Sequence, residues 1–306
     1  MERVRVDWDS LKEKEELKIM HKHANSGRRY TFITMIIMYT MIFLHTLIFF
    51  STHIFNTLIP LNKSRTNREH LWHLPNMMEH FIDREKYIYL LIVYLLLIGF
   101  IGATVLLVVD SLCIMYIQHI TALFQITSYR IERIVSKSRM KSLGFSKKSD
   151  TYENIAKTID SHQRAVEFLN SMQSMYEIVY MFLIPISVVT LSINLYQFYE
   201  HIISGTEGIV IWLGYIACHF STMFLHNYFG QQIIDYSNNI FKKLCSIQWY
   251  MTPLYTQKCL LFMMRRNMKS SKIMISSVFT ASLEGFATLL NATLSYFMLI
   301  YSKRHS

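Results

Sequence analysis

A chain of 306 residues that is 52% hydrophobic and 14% aromatic, with only nine glycines and four prolines, departs from soluble domains of its size toward membrane proteins. Its net charge of +10 would suit a nucleic-acid binder only if the basic residues gathered on a soluble face; here they flank apolar runs, so no nucleic-acid partner is expected. The four cysteines, Cys113, Cys218, Cys245 and Cys259, show neither CxxC nor zinc-ligand spacing, and no disulfide framework is expected.

Residues 1–30 carry eight Lys or Arg and no cleavable apolar leader, so the first apolar run must itself be the insertion signal. Near the start, Val4, Trp8 and Leu11 share one face of a surface helix beside the charged run Lys12 to Lys18. Crossing a bilayer core takes roughly 20 apolar residues, and runs of that order lie at 31–57, 87–117, 177–199, 208–230 and 273–300. The fold class expected is therefore an all-α membrane protein, a single transmembrane helical domain over 1–306 with about five spans. The second run is uncharged from Tyr87 to Val109, with Asp110 at its end, and its Gly99 and Ala103 permit close helix approach. Pro185 should bend the third run, and the fifth is the most mixed, containing Glu284 and Asn291.

Alternate loops hold 24 and 7 of the 31 Lys and Arg residues, which places the amino terminus inside and the carboxyl terminus outside. The sequon at Asn62 falls in a loop that this orientation makes extracellular, so Asn62 is a candidate glycosylation site. The loops 118–176 and 231–272 are expected to be cytoplasmic and helical. Ile155, Ile159, His162, Val166 and Leu169 keep a helical apolar spacing that leads into the third span. Ile117 to Val135 likewise prolongs the second span, up to a polar break at Ser146 to Ser149.

Catalytic signatures are absent: no P-loop, Rossmann glycine pattern, GxSxG, HExxH, EF-hand or kinase motif occurs, so neither an enzyme nor a cofactor is expected. His70, His73 and His80 lack the acidic or Cys partner that would complete a metal set. His45, His53 and Tyr39 in the first span serve either a polar pocket or helix contacts.

From the fourth span onward the chain reads Gly230-Gln231, Ser237, Trp249-Tyr250, Pro253, Gln257, Leu260 to Met264, Arg266, Ser282 to Phe286 and Ser295-Tyr296-Phe297. This order and spacing resembles the carboxyl-terminal signature of insect odorant receptors. Asp7-Trp8, Leu11-Lys12, Glu15-Glu16, Ile19-Met20 and Gly27 to Tyr30 resemble the family's loop between its second and third helices, in the style of ant and bee receptors. The five spans would then be the family's third to seventh. The gustatory receptors share this architecture, and the run Trp249 to Arg266 favours the odorant branch. A transporter would show inverted repeats or broken helices, and neither is found.

The resemblance implies a subunit of an odorant-gated cation channel, forming a heterotetramer with the odorant receptor co-receptor in the cell membrane of olfactory neuron dendrites, surrounded by lipid. Small volatile odorants would sit in the outer half of the bundle, and Met41, His45, Phe49, Tyr94, Trp212 and Tyr215 are the contacts it suggests. Large apolar and aromatic side chains suit ligands held by shape and burial. The family's second helix, one wall of that pocket, has no counterpart, which predicts poor odorant binding by this chain as it stands. The last helix would line the pore, with Asn291, Thr293 and Ser295 facing water and the outer gate at Leu299, Ser302 and Lys303.

Overall fold

The computed structural model describes residues 2–11, 13–58, 84–141, 148–205, 209–276 and 279–305. Its helices are α1 (Glu2–Ser10), α2 (Lys14–Leu58), α3 (Arg84–Lys141), α4 (Lys148–Ser204), α5 (Ile209–Ser246), α6 (Leu254–Asn267) and α7 (Leu283–His305), with a two-stranded hairpin, β1 (Met274–Ile275) and β2 (Phe279–Thr280), before α7. The 58 residues of α3 and 57 of α4 correspond to about 85 Å each, against about 30 Å of bilayer hydrocarbon. Both helices therefore extend well beyond the apolar runs, as the spacing from Ile155 to Leu169 predicts. Among the described residues four helices are long and apolar enough to cross a membrane, within α3, α4, α5 and α7. The first predicted run lies in α2. α4 continues through Pro185 and ends where Gly205 takes a left-handed backbone (φ +61°), the conformation glycine adopts without a Cβ clash.

The described residues fall into two compact units, residues 1–32 with 111–306 and residues 33–110. In the first, the core comes from the parts of the helices outside the apolar runs: Ile120, Phe124 and Ile131 of α3, Ala165 and Leu169 of α4, Ile233 and Ile240 of α5, and Leu260 and Met263 of α6 are all buried. The segment from α1 to the start of α2 closes this bundle, through Leu11, Met20 and the half-buried Trp8. In the second unit, Tyr39 reaches α3 through its hydroxyl, 3.3 Å from Thr104 Oγ1, and through its ring, 5.7 Å from that of Phe100. Tyr39 thus makes a helix contact. Among the described residues nothing lies within 4 Å of a Cβ built on Gly99.

The α1 helix is more than a surface helix. Asp7 is buried and its carboxylate is shared by His119 Nε2 at 2.9 Å and the Arg164 guanidinium at 3.0 Å. Glu16 accepts a bidentate pair from Arg130 at 2.6 and 2.9 Å, and Glu13 pairs with Arg133. His23 adds a polar node, with Gln118 Oε1 at 3.0 Å and Gln125 Oε1 at 2.6 Å, and Gln118 donates onward to Gln232 of α5. Buried polar groups persist in a core only when they are partnered, and this network partners groups of α1, α2, α3, α4 and α5.

His162 on α4, before the apolar run at 177–199, is buried and its Nε2–H donates to Asn267 Oδ1 at 2.9 Å. Asn267 in turn donates to the Met263 carbonyl, which fixes its amide orientation and makes His162 the donor. Burial pushes the imidazole pKa below its ordinary value, and the Arg266 charge adds to that fall against the opposing bond from Asn267. Below about pH 6.5 the unfolded chain takes up a proton that the folded one resists, so stability should fall by up to about 1.4 kcal/mol per pH unit. A thermal-melting series in detergent from pH 7.5 to 5.5 should show this decline, with the His162→Gln variant losing less.

α7 begins at Leu283, ten residues later than the predicted fifth span at 273–300. The intervening residues pair Met274 with Thr280 and Ile275 with Phe279, and Ser276 turns the chain at φ 51°. Short β-branched and aromatic residues around a turn favour a hairpin over continuing helix. Ser282 then caps α7, its Oγ accepting the Gly285 N–H at 3.0 Å.

Candidate functional site

α7 has two distinct faces. Phe286, Leu289 and Thr293 are buried, packed toward Val188, Leu191 and Ser192 of α4 and Met223 of α5. On the opposite side Glu284, Thr288, Asn291, Ser295, Leu299 and Ser302 are exposed. Their spacing of 4, 3, 4, 4 and 3 is that of one helical stripe. Thr288 Oγ1 donates to the Glu284 carbonyl at 3.1 Å and Ser295 Oγ to the Asn291 carbonyl at 2.9 Å. Lys303 is exposed beside Ser302. Thr293, expected to face water with Asn291 and Ser295, turns toward α4, where its backbone carbonyl accepts the Ser192 hydroxyl at 3.0 Å.

The start of α7 is held by α5. Asn227 Oδ1 accepts the Ser282 N–H and Gln231 Oε1 the Leu283 N–H, each at 3.3 Å. Between them Gly230 brings the α5 backbone against Ala281: a Cβ there would lie 2.3 Å from the Ala281 carbonyl oxygen. This contact needs glycine for close approach, since its backbone is ordinary helix.

The six suggested odorant contacts divide between the two units, Met41, His45, Phe49 and Tyr94 in one and Trp212 and Tyr215 in the other. Trp212 and Tyr215 are half-buried, with ring centroids 5.8 Å apart, and Trp212 also meets His201 at 5.7 Å. Met41 is half-buried and Tyr94 exposed, while the side chains of His45 and Phe49 lie outside the described residues. Asn62, His70, His73 and His80 also lie outside them. Asp110 is half-buried. No group of three or more His, Cys, Asp or Glu that could hold a metal occurs among the described residues.

The polar cluster of Asp7, His119 and Arg164 was not foreseen from sequence, because its members lie on three helices and Asp7 reads as one more charge on a surface helix.

Comparison with known proteins decides the family. A model described as 7tm Odorant receptor matches residues 2–294. The chain belongs to the 7tm odorant receptor family. Among curated relatives, Odorant receptor 10 of Aedes albopictus is 24% identical over 193 residues, 61% of this chain and 51% of that one. The odorant receptor coreceptor of Ooceraea biroi is 24% identical over 146 residues, covering 46% and 30% respectively. The matches thus span about half or less of those relatives' length. The fold is similar to the insect olfactory receptor OR5 of Machilis hrabei in complex with eugenol, with a TM-score of 0.65 at 14% identity, over 94% of this chain and 68% of that one. The same receptor without a named ligand gives 0.60 at 13% identity, over 93% and 68%. The chain is accordingly a multi-pass helical membrane protein, from a chemoreceptor family rather than an enzyme family.

Proposed function

We propose that this chain is the odorant-tuned subunit of a ligand-gated cation channel, assembled in the cell membrane with an odorant receptor co-receptor. The observation that carries the reading is the polar stripe of α7. In lipid, polar side chains such as Glu284, Asn291 and Ser302 would be left on a costly face, whereas around a shared axis the same face lines water. Assembly is supported by α6, 14 residues long and bearing Lys258, Arg265 and Arg266, which leaves Leu254, Leu261 and Phe262 exposed. Too short and too charged to span a bilayer, it exposes Leu254, Leu261 and Phe262 on one stripe with Lys258 and Arg265, a mixed apolar and basic face that a partner subunit would cover.

In this reading the amino terminus is cytoplasmic, the carboxyl end of α7 with Leu299, Ser302 and Lys303 is the outer gate, and volatile odorants are the ligands, with Trp212 and Tyr215 among the contacts. The test is whole-cell current in cells expressing this chain with a co-receptor, with and without two family-like helices added at its amino terminus, against an odorant panel. Odorant-specific cation current absent from cells with the co-receptor alone is expected from the form with the added helices, and a weaker response from the chain as it stands. Silence from both forms, despite surface delivery and an intact co-receptor current, would overturn the proposal.

A further inference from the structure

The carboxyl-terminal ends of α4 and α7 meet in a cluster that the stripe does not include. Tyr199 of α4 sets its ring edge-on to Tyr301 of α7 at 5.3 Å and to Phe297 at 6.3 Å, and its hydroxyl donates to that of Tyr301 at 3.4 Å. One turn along, the Arg304 guanidinium lies 5.6 Å from the ring centroid of Tyr196, within cation–π reach. The hydroxyl of Tyr196 donates to the Glu200 carboxylate, which holds the ring that receives Arg304. Tyr196 is buried, and Tyr199 and Tyr301 are half-buried, so the contacts are shielded on the α4 side.

These α7 residues occupy the face opposite the stripe. Phe297, Tyr301 and Arg304 turn to α4 while Ser295, Leu299 and Ser302 are presented outward, and the rotation of a rigid helix fixes both sets together. Leu299 interrupts the stripe between Ser295 and Ser302, and a ring of such apolar side chains closes a pore by excluding water. We infer that Tyr196, Tyr199 and Arg304 are positioning residues for gating: they clamp the end of α7 against α4 in the orientation that keeps Leu299 aimed at the axis. Opening, which must turn or withdraw Leu299, breaks the clamp. This inference rests on the proposed pore role of α7.

The experiment is whole-cell recording from the full chain with a co-receptor, comparing wild type with Arg304→Ala, Arg304→Lys, Tyr199→Phe, Tyr196→Ala and the Tyr196→Ala/Arg304→Ala double variant. Two quantities are read, ligand-free current per surface receptor and the odorant concentration for half-maximal response. A cation–π contact of this class shifts a two-state equilibrium about two- to fivefold. Arg304→Ala and Tyr196→Ala should raise ligand-free current by that factor and lower the half-maximal concentration. The double variant should add nothing to the larger single effect, Arg304→Lys should stay near wild type, and Tyr199→Phe should show a smaller rise. A purely structural role would change surface amount and leave both quantities alone. A responsive wild type whose variants keep wild-type values overturns the clamp alone. A wild type that changes neither the ligand-free nor the odorant-evoked current of cells with the co-receptor alone overturns the pore reading and the clamp with it.

Discussion

Replacing Asp7 with Asn should destabilise the chain by about 3 kcal/mol, and the loss should show as a lower thermal midpoint in detergent and as early proteolysis at Arg3 and Arg5. The carboxylate is buried and shared by two donors on different helices, His119 of α3 and Arg164 of α4, so its charge serves both. The Asn amide is neutral and offers a single carbonyl oxygen, which can accept from one donor in place but cannot balance the guanidinium. Arg164 keeps Asp160 at 3.1 Å, an exposed carboxylate that solvent screens. Its Nε is already buried without a hydrogen-bond partner among the described residues, so little slack remains. Whichever way the amide turns, one of the two donors, Arg164 or the 4% exposed His119, loses its acceptor. The comparison that isolates burial is Glu15→Gln, whose pair with Lys18 is 59% and 77% exposed and should be worth well under about 1 kcal/mol. Equal midpoints for the two variants would show that the α1 contact contributes no more than a surface pair.

The helical architecture was legible because its signals are local. Runs of apolar residues long enough for a bilayer, and the spacing from Ile155 to Leu169, are properties of neighbouring residues, and α2 to α5 carry the first four runs, whereas α7 starts ten residues into the fifth. The role of Asp7 was not legible, since its partner His119 lies 112 residues away and no spacing within α1 marks a buried acid. The hairpin before α7 was missed for another reason. Short apolar stretches such as Ile273 to Ile275 suit helix or strand equally, and the arbiter is the turn at Ser276, a residue without the glycine that usually announces a positive φ. The polar stripe of α7 lies between these cases. Asn291 and Ser295 are four apart and share a face, but Thr293 is about 200° around the helix from Asn291 by periodicity alone, which is why it meets α4 instead. The family signature, in contrast, is carried by residue order and was readable where no single contact was.

Gly230→Val should be the most damaging change in the region joining α5 to α7. Ordinarily, replacing a helix-interior glycine by alanine stabilises by roughly 0.5–1 kcal/mol, because the unfolded chain loses freedom. At Gly230 the added Cβ would meet the Ala281 carbonyl oxygen at 2.3 Å, the Ala281 Cβ at 2.6 Å and the Ala281 carbonyl carbon at 2.8 Å, two of them backbone atoms that no rotamer change can move. The backbone itself must shift, and it is tied on both sides of the clash by Asn227 to Ser282 and by Gln231 to Leu283. Overpacking of this kind costs about 1–3 kcal/mol or more, and the two branches of valine add to what Ala would already cause. Gly102→Ala is the matched control, since among the described residues nothing lies within 4 Å of its Cβ and the ordinary small gain should appear there. Thermal midpoints of Gly230→Ala, Gly230→Val and Gly102→Ala should therefore fall, fall further and rise slightly. Because the same contact sets where α7 begins, in the proposed channel Gly230→Ala protein that reaches the surface should also show altered current, whereas Gly102→Ala should not. A rise in midpoint for Gly230→Ala would mean that α5 and Ala281 stand farther apart than the close approach described, and that the start of α7 is set by the hydrogen bonds from Asn227 and Gln231 alone.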